Sequence, residues 1–166
     1  LPLLLLILYG IVEFGRLIFM YSSLVTASRE GARYGAASGG LGSDLQHYQD
    51  CDGIETAAKR AAILMSLDGE DQILISYDRM NTITNAFETF SEDCPPPRSV
   101  QLGDRIIVEV SAEFVPLLPL VNINDGEPFE IRSITRRTIL RNIYLGEGGS
   151  SGGDYSPPVV YFAAPQ

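Results

Sequence analysis

The sequence predicts an α+β protein: a long hydrophobic N-terminal helix followed by a small head in which one or more helices pack on an antiparallel sheet. Three observations predict it. The first 28 of the 166 residues hold a disproportionate share of the apolar side chains. A second segment repeats small and apolar residues at helical spacing, with Ile54, Ala57, Ala58, Ala61, Ala62, Leu64 and Met65 on one face. Downstream, residues 104–115 alternate: Ile106, Val108, Val110, Ala112 and Phe114 point one way and Arg105, Glu109, Ser111 and Glu113 the other, as in a strand with one buried face. At 45% hydrophobic and 20% charged residues, the composition is that of a folded chain.

The N-terminal element opens with LPLLLLILYGIV, which carries no charge, and continues through Glu13, Phe14, Gly15 and Arg16 into LIFMYSSLVTA. About 20 apolar residues cross a bilayer as a helix, so the segment is long enough to do so. Pro2 falls in the first turn, where its missing N–H costs nothing. With no initiator Met and no basic leader, the segment is expected to be a working part of the mature chain. Glu13 and Arg16 stand three residues apart, on one helical face. Ionisable groups in a span are costly and meet either each other or partners. Two readings follow: a pair satisfied within one helix, or a pair that meets neighbouring helices and sets their register. Gly10 and Gly15, with Ser22 and Ser23, offer small surfaces for close helix approach, without the GxxxG spacing.

The next stretch, TASREGARYGAASGG, becomes charged. Arg29, Glu30 and Arg33 are expected at the membrane–water boundary, with Tyr34 as an interfacial aromatic. Gly39, Gly40 and Gly42 break the helix. A helix over residues 1–38 would be about 55 Å long, more than a bilayer needs, and the excess is expected to pack on the head.

The second helix is expected to start at Asp52 as N-cap, with Glu55 at N3, and to end at Gly69. Residues 72–77 (QILISY) read as a strand, residues 104–115 as another, and residues 129–143 as a further β-type run. Residues 80–97 hold Cys94 and the run Pro95, Pro96, Pro97, and read as a loop. Residues 122–127 (NINDGE) lack calcium-loop spacing and read as a turn. The chain then divides into the helix (1–38), the head (39–145) and a Gly/Ser/Pro-rich tail (146–166). In the tail, Val159, Val160, Tyr161 and Phe162 are apolar and β-prone, which is odd for a terminus in water. They are expected to dock either on a neighbouring head, as an added strand, or back on their own.

Cys51 and Cys94 are 43 positions apart, and His47 is the only histidine. That pattern fits neither a CxxC redox site nor a zinc site. One structural disulfide outside the cytoplasm, or two unrelated buried thiols, are the two readings. The bridge would contribute about 3–4 kcal/mol in the chain-entropy view.

Several function classes fit poorly. A net charge of -9 repels nucleic-acid phosphates. No histidine-based triad, GxSxG, phosphate-binding glycine loop or metal-ligand motif is present, so neither catalysis nor a cofactor or metal is expected.

These residues resemble the TadE-like pilins of tight-adherence (Flp-type, type IV-like) pili. The resemblance rests on LPLLLLILYGIVEFGR, SREGARYGA, the helix IETAAKRAAILM, and GDRIIVEVSAEFVPLLPL, in that order along the chain. Glu13, Phe14, Gly15 and Arg16 match the family's hydrophobic-segment motif, and Arg29, Glu30, Gly31, Ala32 and Arg33 its boundary motif. The resemblance implies a structural subunit, held in the inner membrane before assembly and then part of an extracellular homopolymeric filament used in adhesion. Its partners would be copies of itself and other pilus subunits. The alternative is a minor pilin, or a membrane-anchored assembly or binding module that displays its head outside the cell. One position departs from the pattern. Pilins typically carry a glutamate five residues into the mature chain, where this sequence has Leu5. Either Leu1 is not the cleavage point, or the subunit assembles without that contact.

Overall fold

The computed structural model describes residues 2–40, 45–63, 65–69, 71–116 and 128–140. Its first element is α1, Pro2–Gly35, unbroken over 34 residues. Gly39, at φ +115°, then takes a left-handed conformation that a side chain would disfavour, and the helix does not resume. A short 3-10 turn, His47–Gln49, leads into α2, Cys51–Ala61. Four strands complete the described fold: β1 Ile73–Asn81, β2 Ala86–Ser91, β3 Arg105–Phe114 and β4 Phe129–Thr138. They form one antiparallel sheet in the order β2-β1-β3-β4. The fold is α+β, as the sequence predicts.

The core lies between α1, α2 and one face of the sheet. Ile73, Ile75 and Tyr77 of β1 and Ile106, Val108 and Val110 of β3 are buried together with Leu24, Ala27 and Ala32 of α1 and Ile54 and Ala58 of α2. The alternation in β3 therefore has the packing it predicts. Small residues bring α1 close to its neighbours. Ala27, Ser28, Gly31, Ala32 and Gly35 are all buried. A Cβ at Gly31 would meet Val108 Cγ1 at 3.2 Å and Ala58 Cβ at 3.3 Å, so sheet and α2 both lie against this turn of α1. The Ser28 hydroxyl shares hydrogen bonds with Ser133 Oγ (3.0 Å) and Thr135 Oγ1 (2.9 Å), which ties α1 to β4.

Four observations differ from the sequence reading. The N-cap of α2 is Asp50, not Asp52: its side chain accepts from the Gly53 N–H at 3.1 Å. The helix stops at Ala61 instead of running to Gly69, because Ala62 leaves helical geometry while its N–H still closes the last turn on Ala58 and Lys59. The segment read as a loop over 80–97 contains the end of β1 and all of β2. Asn85, at φ 51°, and the Asn81 side chain, which accepts from the N–H groups of Ile83 and Thr84, form the hairpin turn. Finally, α1 ends at Gly35 and β4 at Thr138, each shorter than expected. The readings placed on residues 122–127 and on the tail, including Val159, Val160, Tyr161 and Phe162, lie outside the described residues.

Candidate assembly and anchoring surface

The helix α1 has two halves with opposite surroundings. From Ser23 to Gly35 its inner face is buried in the head. From Leu3 to Phe14 its large apolar side chains, Leu3, Leu4, Leu5, Leu6, Ile7, Leu8, Ile11, Val12 and Phe14, are exposed. By length and composition the whole of α1, Pro2–Gly35, suffices to cross a membrane. An apolar surface of this extent on a protein implies lipid or another protein as its solvent.

The axial register of the head on α1 is fixed by named contacts. A Cβ at Gly35 would meet Ile106 Cδ1, Gly31 abuts Val108, and the Arg16 guanidinium lies over the Phe114 ring, 5.3 Å from its centre. As the number on α1 falls, the number on β3 rises, so the two run antiparallel. Residues 16–35 of α1 cover about 28 Å at helical rise, and residues 106–114 of β3 about 26 Å at strand rise. The two lengths agree. The head therefore begins on α1 at the level of Arg16, and residues 2–15 project from it for about 21 Å.

Glu13 and Arg16 sit at that junction. Arg16 Nη1 donates to Glu13 Oε2 at 2.9 Å, and the Tyr9 hydroxyl donates to Glu13 Oε1 at 3.0 Å. The carboxylate is thus held from both sides along one face of α1, at i−4 and i+3. Within this chain the two side chains pair with each other, and Arg16 adds a stacking contact to β3. Gly10 and Gly15 lie on open surface: a Cβ at either would meet nothing within 4 Å. They are not needed for packing within the described chain, and the backbone there is open to close approach. Sequence reasoning assigned Phe114 to the inward face of its strand but joined neither it nor Tyr9 to the Glu13–Arg16 pair. Tyr9 had a local signal, its i, i+4 spacing to Glu13; Phe114 had none, being 98 positions from Arg16.

Arg29, Glu30 and Arg33 are the residues expected at a membrane–water boundary. They lie on the half of α1 that packs in the head, with Arg29 and Arg33 directly after the buried Ser28 and Ala32. Arg33 Nη2 pairs with Glu30 Oε2 at 2.7 Å on the exposed side. They do not mark where the helix leaves the head; that point is Arg16, about 20 Å away along the helix.

The head is fastened in three places. Cys51 at the start of α2 is bridged to Cys94 after β2. The Tyr77 hydroxyl, fully buried on β1, donates to the Tyr48 carbonyl at 2.6 Å, and burial pushes its pKa well above the ordinary tyrosine value. Asp104, almost fully buried, accepts from Arg79 Nη2 at 2.7 Å and from the Gln101 N–H at 2.6 Å. Next to it Arg105 pairs with Asp78 and lies over the Phe87 ring. These hydrogen-bonded partners raise the pKa of both arginines. Among the described residues no three His, Cys, Asp or Glu side chains are grouped to hold a metal ion.

Residues 1–33 match the family model described as TadE-like protein. The match covers the exposed stave of α1, the Tyr9–Glu13–Arg16 cluster and most of the half packed in the head. No curated protein and no solved structure matches the chain.

Proposed function

We propose that this chain, TadE-like over residues 1–33, is a pilin-type subunit. Its exposed half-helix anchors it in the inner membrane before assembly and then packs against the helices of like subunits in an extracellular filament. The reading is structural, not catalytic, in keeping with that family. One observation carries it: a single unbroken helix is both an exposed apolar stave and the central core element of a folded head. Such a helix transmits the position of the stave directly to the head, which is what a filament subunit requires. The bridged head suits display in an oxidising compartment. The Tyr9–Glu13–Arg16 cluster supplies one polar locus on an otherwise apolar surface, and Gly10 and Gly15 beside it permit close helix contact. Adhesion follows from display of the head.

The first test is electron cryo-microscopy of filaments sheared from the cell surface. Repeating subunits with a core helix that fits residues 2–35 are expected. A filament built from another, shorter pilin would make this chain a minor subunit or a membrane-bound assembly component. A second test is Glu13→Leu. It should insert in the membrane as well as the wild type, since the stave becomes more apolar. It should lower filament yield about tenfold, the equivalent of ~1.4 kcal/mol per subunit contact. An undiminished yield would show that Glu13 serves only its own helix.

A further inference from the structure

We propose that the head rests directly on the lipid surface, with the rim formed by Phe14, Arg16, Val115 and Phe129 seated at headgroup depth in the bilayer that holds α1. The inference rests on the anchoring reading above and adds to it where, and by which residues, the head meets the membrane.

Three observations converge on the rim. First, α1 has no hydrated neck. Exposed apolar residues run from Leu3 through Phe14 to Ile18 and Phe19, past Arg16, the level at which the head begins. A bilayer that covers the stave therefore reaches the head without an intervening polar stretch of helix. Second, β3 ends and β4 begins at this level, with exposed apolar side chains beside the buried Phe114. Phe114 and Phe129 are register partners. Phe114 is buried under Arg16, whereas Phe129 is 57% exposed and the following residue of β3's strand end, Val115, is 62% exposed. Phe14 on α1 is 63% exposed. Third, the charges among the described residues at this level suit an interface. Arg16 is neutralised by Glu13 and keeps its guanidinium over an aromatic ring, the arrangement of a cation at the edge of hydrocarbon. Glu113 and Glu130 are also register partners, but they alternate with Phe114 and Phe129 and so stand on the sheet face away from α1. Both are exposed, and Glu130 is paired with Arg132 at 2.6 Å, so they remain hydrated at the outer edge.

The chain has no tryptophan, so a single introduced one is an unambiguous depth probe. Three full-length variants, L8W, F129W and I83W, are reconstituted separately in phosphatidylcholine vesicles with and without bromine near the headgroup end of the acyl chains. Ile83 is 90% exposed in the β1–β2 turn, at the opposite end of the sheet from Phe129, about 30 Å or more along the strands. F129W is expected to lose about half its fluorescence to the brominated lipid, as an interfacial ring should, while I83W loses none. L8W should be quenched more strongly when the bromine lies deeper. V115W serves as a second rim probe, with formation of the Cys51–Cys94 bridge as the check of folding in each variant. If L8W is not quenched, the anchoring reading itself fails and the rim proposal with it. If L8W is quenched and both rim probes are not, the head stands clear of the bilayer and only the rim proposal is overturned. A blue-shifted but unquenched F129W also overturns it, by placing the ring against protein, as at a contact with a second copy.

Discussion

The seam at Gly31 and Gly35 gives a sharp test of how α1 is seated. A Cβ built on Gly35 would lie 2.5 Å from Ile106 Cδ1, with Ile54 Cδ1 and Cγ1 at 3.1 and 3.2 Å. Ile106 and Ile54 are fully buried, so neither can swing into solvent. Forcing a methyl into such a site costs about 1–3 kcal/mol through displaced rotamers and backbone. Against this, Gly→Ala in a helix interior gains up to about 1 kcal/mol of propensity, and less at the last helical residue, which Gly35 is. Overpacking wins, and Gly35→Ala should lose about 1–2 kcal/mol net. At Gly31 the contacts are 3.2 Å to Val108 Cγ1 and 3.3 Å to Ala58 Cβ, a few tenths of an ångström too tight. The propensity gain there is that of a true helix interior, so Gly31→Ala should fall within about 0.5 kcal/mol of zero.

The assay is equilibrium urea unfolding of the full chain in mild detergent with the disulfide intact. For Gly35→Ala the midpoint should fall by about 0.5–1 M at a typical slope. The decisive variant is the double mutant with Ile106→Val, which removes the offending Cδ1 atom. Ile106→Val alone should cost about 0.5–1.5 kcal/mol. In the Gly35→Ala background its cost should shrink by at least about 0.5 kcal/mol, the coupling expected of residues in direct contact. Additive losses, or a Gly35→Ala protein as stable as the wild type, would refute this seating of α1 on β3.

Two further predictions concern the head. Replacing Cys51 and Cys94 together by alanine opens a loop of 43 positions and should cost about 4 kcal/mol by chain entropy; a loss below about 1 kcal/mol would mean that the hydrophobic core alone holds α2 to the end of β2. Tyr77→Phe removes the hydrogen bond to the Tyr48 carbonyl and should cost about 1–2 kcal/mol at neutral pH. The Tyr77 pKa is raised by folding, so the neutral phenol's contribution is complete below the unfolded value near 10 and is lost as pH rises above it. The gap between wild type and Tyr77→Phe should therefore narrow by about 1.4 kcal/mol per pH unit above 10, because the variant lacks this ionisation. A gap that stays constant up to pH 11 would contradict a buried, protonated Tyr77.

What the sequence disclosed was mostly local. The period of β3 revealed its inward face because Ile106, Val108 and Val110 have no polar interruption, and the apolar run of α1 is unmistakable. The strand β2 was hidden by its neighbours: Pro95, Pro96 and Pro97 drew the whole of 80–97 toward a loop, although Ala86–Ser91 lies before them and Asn85 marks a hairpin turn. At α2 the sequence reading put the cap at Asp52, whereas the backbone geometry makes Asp50 the residue that accepts from Gly53. The placement of Arg29, Glu30 and Arg33 at a membrane boundary followed from their being the first charge cluster after an apolar run. The competing signal was present in the spacing of Ala27, Gly31 and Gly35 and of Ser28 and Ala32, small residues four apart. That pattern marks a face of α1 that another element approaches closely. Which elements do so, α2 and β3 here, depends on contacts between residues 19 to 77 positions apart, and no local pattern encodes them.

The continuity of α1 has a mechanical consequence for assembly. Residues 2–35 form one helix without a proline or glycine break in its hydrogen-bond ladder after Pro2, and its second half is clamped by β3, β4 and α2. A rotation of the stave about its axis is therefore a rotation of the whole head. Each residue of helical register turns the head by about 100°, so in the proposed assembly the stave's contacts would select which edge of the sheet faces outward. The Tyr9–Glu13–Arg16 cluster is the one charged locus on the exposed half and lies on the side that carries Phe114. Whatever partner approaches that polar face approaches the β3–β4 side of the head with it. Substitutions at Glu13 should thus change the orientation of heads as well as the packing of helices, a link that a hinged anchor would not have.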